Sequence, residues 1–229
     1  MVASLMSALP GSVAQGLIWG ILAIGVYITY KVLDFADLTV DGSLATGGAV
    51  AVMCMLNGAN TYVALILAFL AGMLAGLVTG LFHTALGIPP ILAGILTQLG
   101  LYSINMRIMG KANQAISVMQ YDVLVSLRYI PHACLLTTGF CIVIIALLYW
   151  FFGTEIGASV RATGCNPNMA RAQGINTNAT KVLGLVISNG LVGLAGALYA
   201  QYQGSADINM GRGARSEERR VGKECRSRW

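Results

Sequence analysis

The stretch Tyr62–Phe82 reads YVALILAFLAGMLAGLVTGLF and contains no charged residue. A bilayer core about 30 Å thick needs roughly 20 apolar residues in a helix, so this stretch is long enough to cross a membrane. The other segments of about this length are Val13–Tyr30, Thr39–Leu56, Ile88–Met106, His132–Phe152 and Lys181–Gln203. An open sheet cannot span lipid, and these segments lack the alternation of barrel strands. The sequence therefore predicts an all-α polytopic membrane helix bundle.

The composition excludes an ordinary soluble domain. Hydrophobic residues make up 56% of the 229 residues, charged residues make up 10%, and the mean hydropathy is +0.72. A soluble domain is about one quarter charged. Residues 212–229 hold ten charged residues, seven of them basic and three acidic. The basic charge belongs mostly to this tail, so it gives no reason to expect nucleic acid as a partner.

Glycines mark two surfaces where helices are expected to pack closely. A glycine every four residues lies on one helix face and lets a neighbouring backbone approach. We assign these positions to packing and to no chemistry. They are Gly72, Gly76 and Gly80, spaced by four, in one segment and Gly190, Gly193 and Gly196, spaced by three, in another.

Three aspartates separate the first two apolar segments. Asp34, Asp37 and Asp41 lie in LDFADLTVDGS, close to apolar runs on both sides. Ionisable groups near membrane depth usually face a cavity or a partner, because burial in lipid costs a few kcal/mol. A second interpretation is an interfacial loop in which Asp or Thr39 caps the next helix. The residues alone leave both interpretations open.

Polar side chains also occur inside later apolar segments. Thr97, Gln98 and Asn189, with Ser188 beside the last, can either line a polar path or form hydrogen bonds between helices. Only a position near the aspartate-rich break would favour the path.

The polar stretch Gly157–Gly174, reading GASVRATGCNPNMARAQG, lies between two apolar segments. Asn166 can cap a helix, Pro167 suits its first turn, and Gly174 suits the left-handed residue just past its end. We therefore predict a loop that carries a short helix over Pro167–Gln173.

This predicted helix is too short to be stable alone in water. Because Arg161 and Arg171 lie nearby and the helix has little apolar surface of its own, we expect it to dock into a partner protein. The alternative is an ordinary solvated loop. If this loop is cytoplasmic, alternation of the membrane segments places Lys31 on the cytoplasmic side as well. The positive-inside rule then gives only a weak preference for this orientation.

The chain lacks the motifs of common catalytic and nucleotide-binding sites. Gly110-Lys111 is followed by Ala112, so the sequence contains no GxxxxGK[ST] loop, and it also contains no HExxH, GxSxG or GxGxxG. The five cysteines show no metal-binding spacing. We expect no catalytic residue, no metal site and no cofactor.

Three stretches carry a resemblance to a known family. They are GLIWGILAIGVYITYKVLDFADLTVDGSLATGGA (Gly16–Ala49), GIPPILAGILTQLGLYSINMRIMGKAN (Gly87–Asn113) and RATGCNPNMARAQGINTNATKVLGL (Arg161–Leu185). Through these stretches the chain resembles the inner-membrane permease subunits of bacterial ABC importers, in the group that includes branched-chain amino-acid and ribose permeases.

The resemblance implies two functional elements. The third stretch looks like the family's cytoplasmic coupling segment, which seats in an ATPase subunit; its coupling residues here are Arg161, Ala162, Gly164, Asn166, Ala170, Arg171 and Gly174. The first stretch is similar to the family's break between its first helices, where a short half-helix approaches the translocation path. The residues expected on that path are Asp34, Asp37, Thr39, Asp41, Thr97, Gln98 and Asn189.

The resemblance also implies an assembly. A non-enzymatic, multi-pass permease of the bacterial inner membrane would pair with a second copy or a close relative, with separate ATPase subunits and with an extracytoplasmic solute-binding protein. The expected solute is small and is most simply an amino acid. Two alternatives stay open, namely an ion-coupled secondary transporter or channel with broken helices, and a non-functional truncated membrane fragment.

The resemblance ends at Gly211. Residues 1–211 form the expected transmembrane permease domain, which we expect to be incomplete at its C-terminus. The following RGARSEERRVGKECRSRW (residues 212–229) resembles translated adaptor or vector sequence, and we expect this charged tail to be non-native.

Overall fold

A computed structural model describes residues 2–116 and 130–211, and the side chains of residues 10–116 and 134–211. The charged tail thus lies outside the described residues. The helices are α1 (Val2–Tyr27), α2 (Val40–Leu56), α3 (Thr61–Thr84), α4 (Pro90–Met109), α5 (Ile130–Gly153), α6 (Glu155–Cys165), α7 (Pro167–Ala172) and α8 (Thr177–Gln203). A π-helical turn, π1 (Ile28–Val32), extends α1, and two short strands are β1 (Asn113–Ala115) and β2 (Ser205–Asp207).

The all-α membrane bundle predicted from the sequence is confirmed. Among the described residues, five helical spans are long and apolar enough to cross a membrane: α1 with π1, α3, α4, α5 and α8. The sixth predicted segment is α2, which is apolar but has only 17 residues. Its shortness is explained by its position, because α2 begins inside the bundle.

Residues 155–165 correct one expectation. They form the separate helix α6, whereas the sequence predicted a loop there that holds a single short helix. Thr154 caps α6 by accepting a hydrogen bond from the Gly157 backbone N–H, and Val160 is buried among other apolar side chains. The helix is therefore stabilised by a cap and by tertiary packing, and its short sequence of low hydrophobicity is not predicted by apolar length alone.

Helix α8 lies at the centre of the bundle, where glycines let it approach its neighbours. Gly72 and Gly76 of α3 face the backbone carbonyls of Asn189 and Leu185, and a Cβ on Gly80 would lie 3.1 Å from the Val182 Cα. Helix α2 packs against α8 in the same way, because its Gly47 faces the Gly193 backbone. Gly190, Gly193 and Gly196 line the α8 side of these contacts.

These contacts fix the helix directions. Helix α3 runs antiparallel to α8, because its first glycine lies beside Asn189 and its last beside Val182. Helix α1 is also antiparallel to α8, since Gly11 contacts Tyr202 and Gly25 contacts Ser188. Helix α2 runs parallel to α8. The end of the bundle that carries α6 and α7 is called the α7 end below.

The opposite end is closed by the two strands. Strands β1 and β2 pair antiparallel, with Gln114 opposite Ala206. The chain then turns back along α2, so that Met210 reaches Gly48 and Gly211 faces the Asp41 carbonyl. This end is called the ladder end. Lys31, beside the π1–α6 contact described below, lies at the α7 end with Arg161, in agreement with the expected alternation of segments.

Replacing Gly76 by leucine tests the close approach of α3 and α8. A Cβ at Gly76 would meet the Leu185 carbonyl and lie 2.9 Å from the Asn189 Cβ. We expect Gly76→Leu to destabilise the bundle by about 1–3 kcal/mol or more, because backbone atoms cannot yield as a flexible side chain can. Thermal unfolding in detergent measures the effect.

The matched control is Gly100→Leu in α4, because a Cβ at Gly100 would meet nothing within 4 Å. We expect this variant to unfold close to the wild-type temperature. Equal melting temperatures for the two variants would contradict the packing described here.

Candidate translocation path and coupling segment

The helix that enters from the ladder end breaks before α2 begins. Turn π1 ends with the Leu33 N–H donating to the Ile28 carbonyl at 3.0 Å, and the Phe35 N–H donates to the Thr29 carbonyl at the same distance. Asp34 has a φ of 50° and is the only non-glycine residue with positive φ in the described chain. The seven residues 33–39 that follow π1 are called the break segment.

The break segment ends within the bundle, near the middle of the membrane span. Its Asp37 contacts Asn189, which lies near the middle of α8. Asp37 is 2% exposed and Thr39 is fully buried, so these two residues are not in an interfacial loop. Thr39 occupies the N-cap position of α2 but forms no side-chain capping bond.

Asp37 is held by donors from both sides of the break. The Thr39 backbone N–H donates to Asp37 Oδ1 at 2.8 Å, and Asn189 Nδ2 donates to Asp37 Oδ2 at 2.6 Å. Ser43 Oγ in turn donates to Asn189 Oδ1 at 2.8 Å. A buried carboxylate is tolerated only when such donors replace water. This chain of bonds therefore joins the break segment, α2 and α8.

Three threonine hydroxyls extend the chain of bonds to α3 and α4. Thr39 Oγ1 and Thr79 Oγ1 are 2.7 Å apart, and Thr79 Oγ1 lies 3.0 Å from Thr97 Oγ1. All three side chains are buried. The group formed by Asp37, Thr39, Ser43, Thr79, Thr97 and Asn189 is called the polar core.

The structure divides the residues expected on the path into three groups. Asp37, Thr39, Thr97 and Asn189 meet in the polar core. Asp41 and Gln98 instead line a separate small cavity between α2 and α4. Asp34 is exposed at the α7 end and stands apart from both groups.

The sequence reasoning missed Ser43 and Thr79. Ser43 lies two residues after Asp41 in the same aspartate-rich stretch, so its position was a usable signal. Thr79 gave none, because a lone threonine in a membrane helix commonly bonds to its own backbone, as it also does here to the Ala75 carbonyl at 3.2 Å. The described residues contain no group of three His, Cys, Asp or Glu side chains that could hold a metal ion.

The predicted short helix is present as α7, and its caps are those expected from the sequence. The Asn166 side chain accepts hydrogen bonds from the Asn168 and Met169 backbone N–H groups. Gly174 has a φ of 83°, the left-handed conformation that suits glycine. Met169 is 62% exposed, whereas Ala170 is buried and holds the helix to the bundle.

The residues expected to seat in an ATPase differ in how far they are exposed. Arg161, Asn166, Arg171 and Gly174 are exposed, and Ala162 is half-buried. Arg161 donates to the Phe152 carbonyl at 3.0 Å, and Arg171 Nε donates to Thr177 Oγ1 at 2.9 Å. These bonds tie Arg161 to the end of α5 and Arg171 to the start of α8.

Gly164 faces inward, and it brings α6 into contact with the end of π1. Its α-carbon hydrogens face the Val32 carbonyl, and a Cβ there would also lie 3.0 Å from the Leu33 Cα. Leu33 further packs against Gly184 of α8. Helix α6 is thus in direct contact with the backbone from which the break segment starts.

A second contact holds the break segment from α3. The Phe35 and His83 rings meet edge-to-face with centroids 5.1 Å apart. His83 Nδ1 lies 2.9 Å from the Ile88 carbonyl, so this nitrogen carries the proton, and His83 Nε2 lies 3.4 Å from Lys181 Nζ. The break segment is therefore held between α3, α6 and α8 at its α7 end.

Helices long enough to cross a membrane thus surround a buried polar core, and a capped helix pair lies at one end of the bundle. The family described as "Branched-chain amino acid transport system / permease component" matches residues 9–216. The chain belongs to this family. It is a non-catalytic permease of the ABC importer kind and a multi-pass protein of the inner membrane.

Similar proteins carry related descriptions. The chain is 42% identical over 208 residues to a "Tyrosine transport system permease protein" of Clostridioides difficile, covering 91% of this chain and 69% of that protein. It is 37% identical over 211 residues to the uncharacterized protein RP368 of Rickettsia prowazekii, covering 91% and 73%. A probable branched-chain amino acid permease, LivH of Methanocaldococcus jannaschii, is 28% identical over 212 residues, covering 83% and 64%. No solved structure matches the chain.

A double-mutant cycle tests the bond between Asp37 and Asn189. Asn189→Leu removes the donor and leaves a buried carboxylate with one partner fewer, which costs about 1–3 kcal/mol or more. Asp37→Asn replaces the carboxylate by a neutral amide that still accepts from the Thr39 N–H. We therefore expect Asn189→Leu to lower the melting temperature much less in the Asp37→Asn background. Additive losses in the two single variants and the double variant would contradict the bond.

Proposed function

We propose that this chain is the transmembrane subunit of an ATP-driven importer for an amino acid, coupled to a separate ATPase through α7. The observation that carries the proposal is the contact of Gly164 with Val32 and Leu33, because it joins the exposed helix pair α6–α7 to the break in the membrane. The expected partners are two ATPase subunits, an extracytoplasmic solute-binding protein and a second permease.

The proposed mechanism depends on which elements between α7 and the polar core are rigid and which can move. Helices α3 and α8 are locked together by backbone contacts at glycines, so they move as one unit. The break segment lacks a regular ladder of backbone hydrogen bonds and is therefore easier to displace. An ATPase that closes on α7 would move α6, and α6 would move Val32 and Leu33.

The polar core would convert this movement into a change of access. Thr39 lies at the end of the break segment and bonds to Thr79 of α3. Hydroxyls can donate or accept, so the bonds among Thr39, Thr79 and Thr97 can exchange partners without leaving a buried group unpaired. A shift of the break segment would open or close the space between α2, α3 and α4, which a solute could then use.

An amino acid is the solute named for two of the similar proteins described above. The similar protein of C. difficile is described as a tyrosine transport permease, and that of M. jannaschii as a probable branched-chain amino acid permease. Both descriptions name amino-acid side chains that are largely apolar. We therefore take L-tyrosine as the first substrate to test.

The second candidate function is ion-coupled transport. It is favoured by one observation, the burial of the Asp37 carboxylate at a helix break, since secondary transporters place coupling ions at such breaks. The two functions differ in their source of energy. The sequence contains no nucleotide-binding loop of its own, so an ATP-driven mechanism requires a partner.

Reconstituted uptake separates the two functions. The permease with its ATPase, in proteoliposomes supplied with the binding protein and radiolabelled L-tyrosine, should import only when ATP is present on the ATPase side. Collapse of the proton and sodium gradients should leave this uptake unchanged. Uptake by the permease alone, driven by an ion gradient, would contradict the proposal and support the second candidate.

Substitution of Gly174 tests the role of α7. A valine at a φ of 83° is strained by about 1–2 kcal/mol and should distort the end of α7. We expect Gly174→Val to reduce ATP-driven uptake about tenfold at a normal membrane level, because the distorted helix seats poorly in the ATPase.

Two control variants make this result specific. Gly174→Asn should retain most uptake, since asparagine tolerates the left-handed conformation. Gly153→Val should also do so, because a Cβ at Gly153 meets nothing within 4 Å. Full coupling of transport to ATP hydrolysis in Gly174→Val would show that α7 is not the coupling element.

A further inference from the structure

A small polar cavity lies between α2, α4 and the segment that follows β2. Its volume is about 120 Å³, and it is on the ladder side of the polar core. It is lined by Asp41, Gly42 and Ala45 of α2, by Gln98, Leu99, Tyr102 and Asn105 of α4, and by Ile208 and Asn209. The cavity is therefore built from three separate parts of the chain.

Asn105 is the feature of this cavity that packing does not explain. Its side chain is 1% exposed, and neither Oδ1 nor Nδ2 has a hydrogen-bond partner among the described residues. A buried amide without partners is destabilising, and such groups are rare in folded proteins. A leucine would fill the same space without this cost. The amide is therefore placed to bond with something that enters the cavity.

The other lining groups define what could enter. Asp41 contributes a carboxylate that is largely buried, and Gln98 and Asn209 contribute amide groups. Tyr102 contributes a phenol. No lysine or arginine is among the residues that line the cavity. One acidic group among neutral donors and acceptors is complementary to a small cationic group that can donate several hydrogen bonds.

We propose that this cavity binds the ammonium group of the amino acid as it enters the path from the ladder end, with Asp41 as the charged partner and Asn105 as a hydrogen-bonding partner. This inference rests on the proposed function. Sites that enclose a whole small molecule measure about 300–1,000 Å³, so a cavity of about 120 Å³ takes only the charged head of the solute. The side chain of the solute would remain outside it.

The cavity lies beside the first turn of α2, so binding there would be linked to movement of the break segment. Asp41 lies in the first turn of α2, and Thr39 of the polar core is the residue on which α2 begins. A solute held at Asp41 would thus contact the same helix end that the break segment moves. Release of the ammonium group would accompany the displacement of α2, which is the order of events that import requires.

Two substitutions test the cavity in the reconstituted complex with its ATPase and binding protein. Asn105→Leu removes the unpartnered amide at similar volume, and Asp41→Asn removes the charge at the same shape. We expect each to lower the maximal rate of L-tyrosine uptake about tenfold or more, as loss of a hydrogen bond to a charged group does. The affinity of the binding protein for L-tyrosine should not change.

Stability separates a binding role from a structural one. If Asn105 serves binding, Asn105→Leu should unfold at the wild-type temperature or above it while uptake falls. A variant that loses uptake and melting temperature together would overturn the proposal. The matched control is Asn57→Leu, an exposed asparagine at the end of α2, for which we expect unchanged uptake.

A direct binding measurement tests the chemistry. L-tyrosine should raise the melting temperature of the purified complex, and 3-(4-hydroxyphenyl)propionate, which lacks only the ammonium group, should not. Asp41→Asn should abolish the difference. Equal stabilisation by both compounds, or an effect of Asp41 that depends on sodium, would overturn the ammonium assignment.

The proposed function can fail separately from this inference. If the wild-type complex imports no amino acid, the proposed function fails. If the wild-type complex imports L-tyrosine at the same rate as Asp41→Asn and Asn105→Leu, only the assignment of the cavity fails.

Discussion

A carboxylate buried at the middle of a membrane protein must be surrounded by hydrogen-bond donors, and the structure around Asp37 follows from that requirement. The Thr39 backbone N–H can reach the carboxylate only because the chain is not helical at this point. Asn189 supplies the second donor from α8. The break segment, the start of α2 and the position of Asn189 on α8 together provide the donors that this one buried group requires.

The glycines serve the same arrangement. Asn189 can reach the break segment and Ser43 only if α8 lies close to both α2 and α3. Gly47 and Gly72 allow this approach, because each presents bare backbone to the α8 backbone. In lipid, where helices gain little from the hydrophobic effect, such close contact is the main source of attraction. The close helix packing and the buried hydrogen bonds therefore occur at the same interface of α8.

The sequence predicted those parts of the fold that depend on local patterns. Apolar length located the membrane helices, and the residues Asn166 and Gly174 located both ends of α7. Helix α6 was missed although Thr154 is a favourable N-cap residue, because a short helix of low hydrophobicity does not stand out by apolar length. The polar core was predicted in part: Asp37, Thr39, Thr97 and Asn189 were selected as polar residues in apolar surroundings. Which of the selected residues lie in contact depends on the helix directions, and a sequence without tertiary information does not give these. Asp41, Gln98 and Asp34 were therefore grouped with the polar core, although they lie elsewhere.

The proposed coupling requires that α6–α7 and the break segment move together. Hydrogen–deuterium exchange of the permease in complex with the proposed ATPase partner, without nucleotide and trapped with ATP, measures this directly. The amides of residues 33–39 and of α6–α7 should change protection together on ATP binding. A change confined to α6–α7, with the amides of Leu33, Phe35 and Thr39 unaffected, would contradict the account.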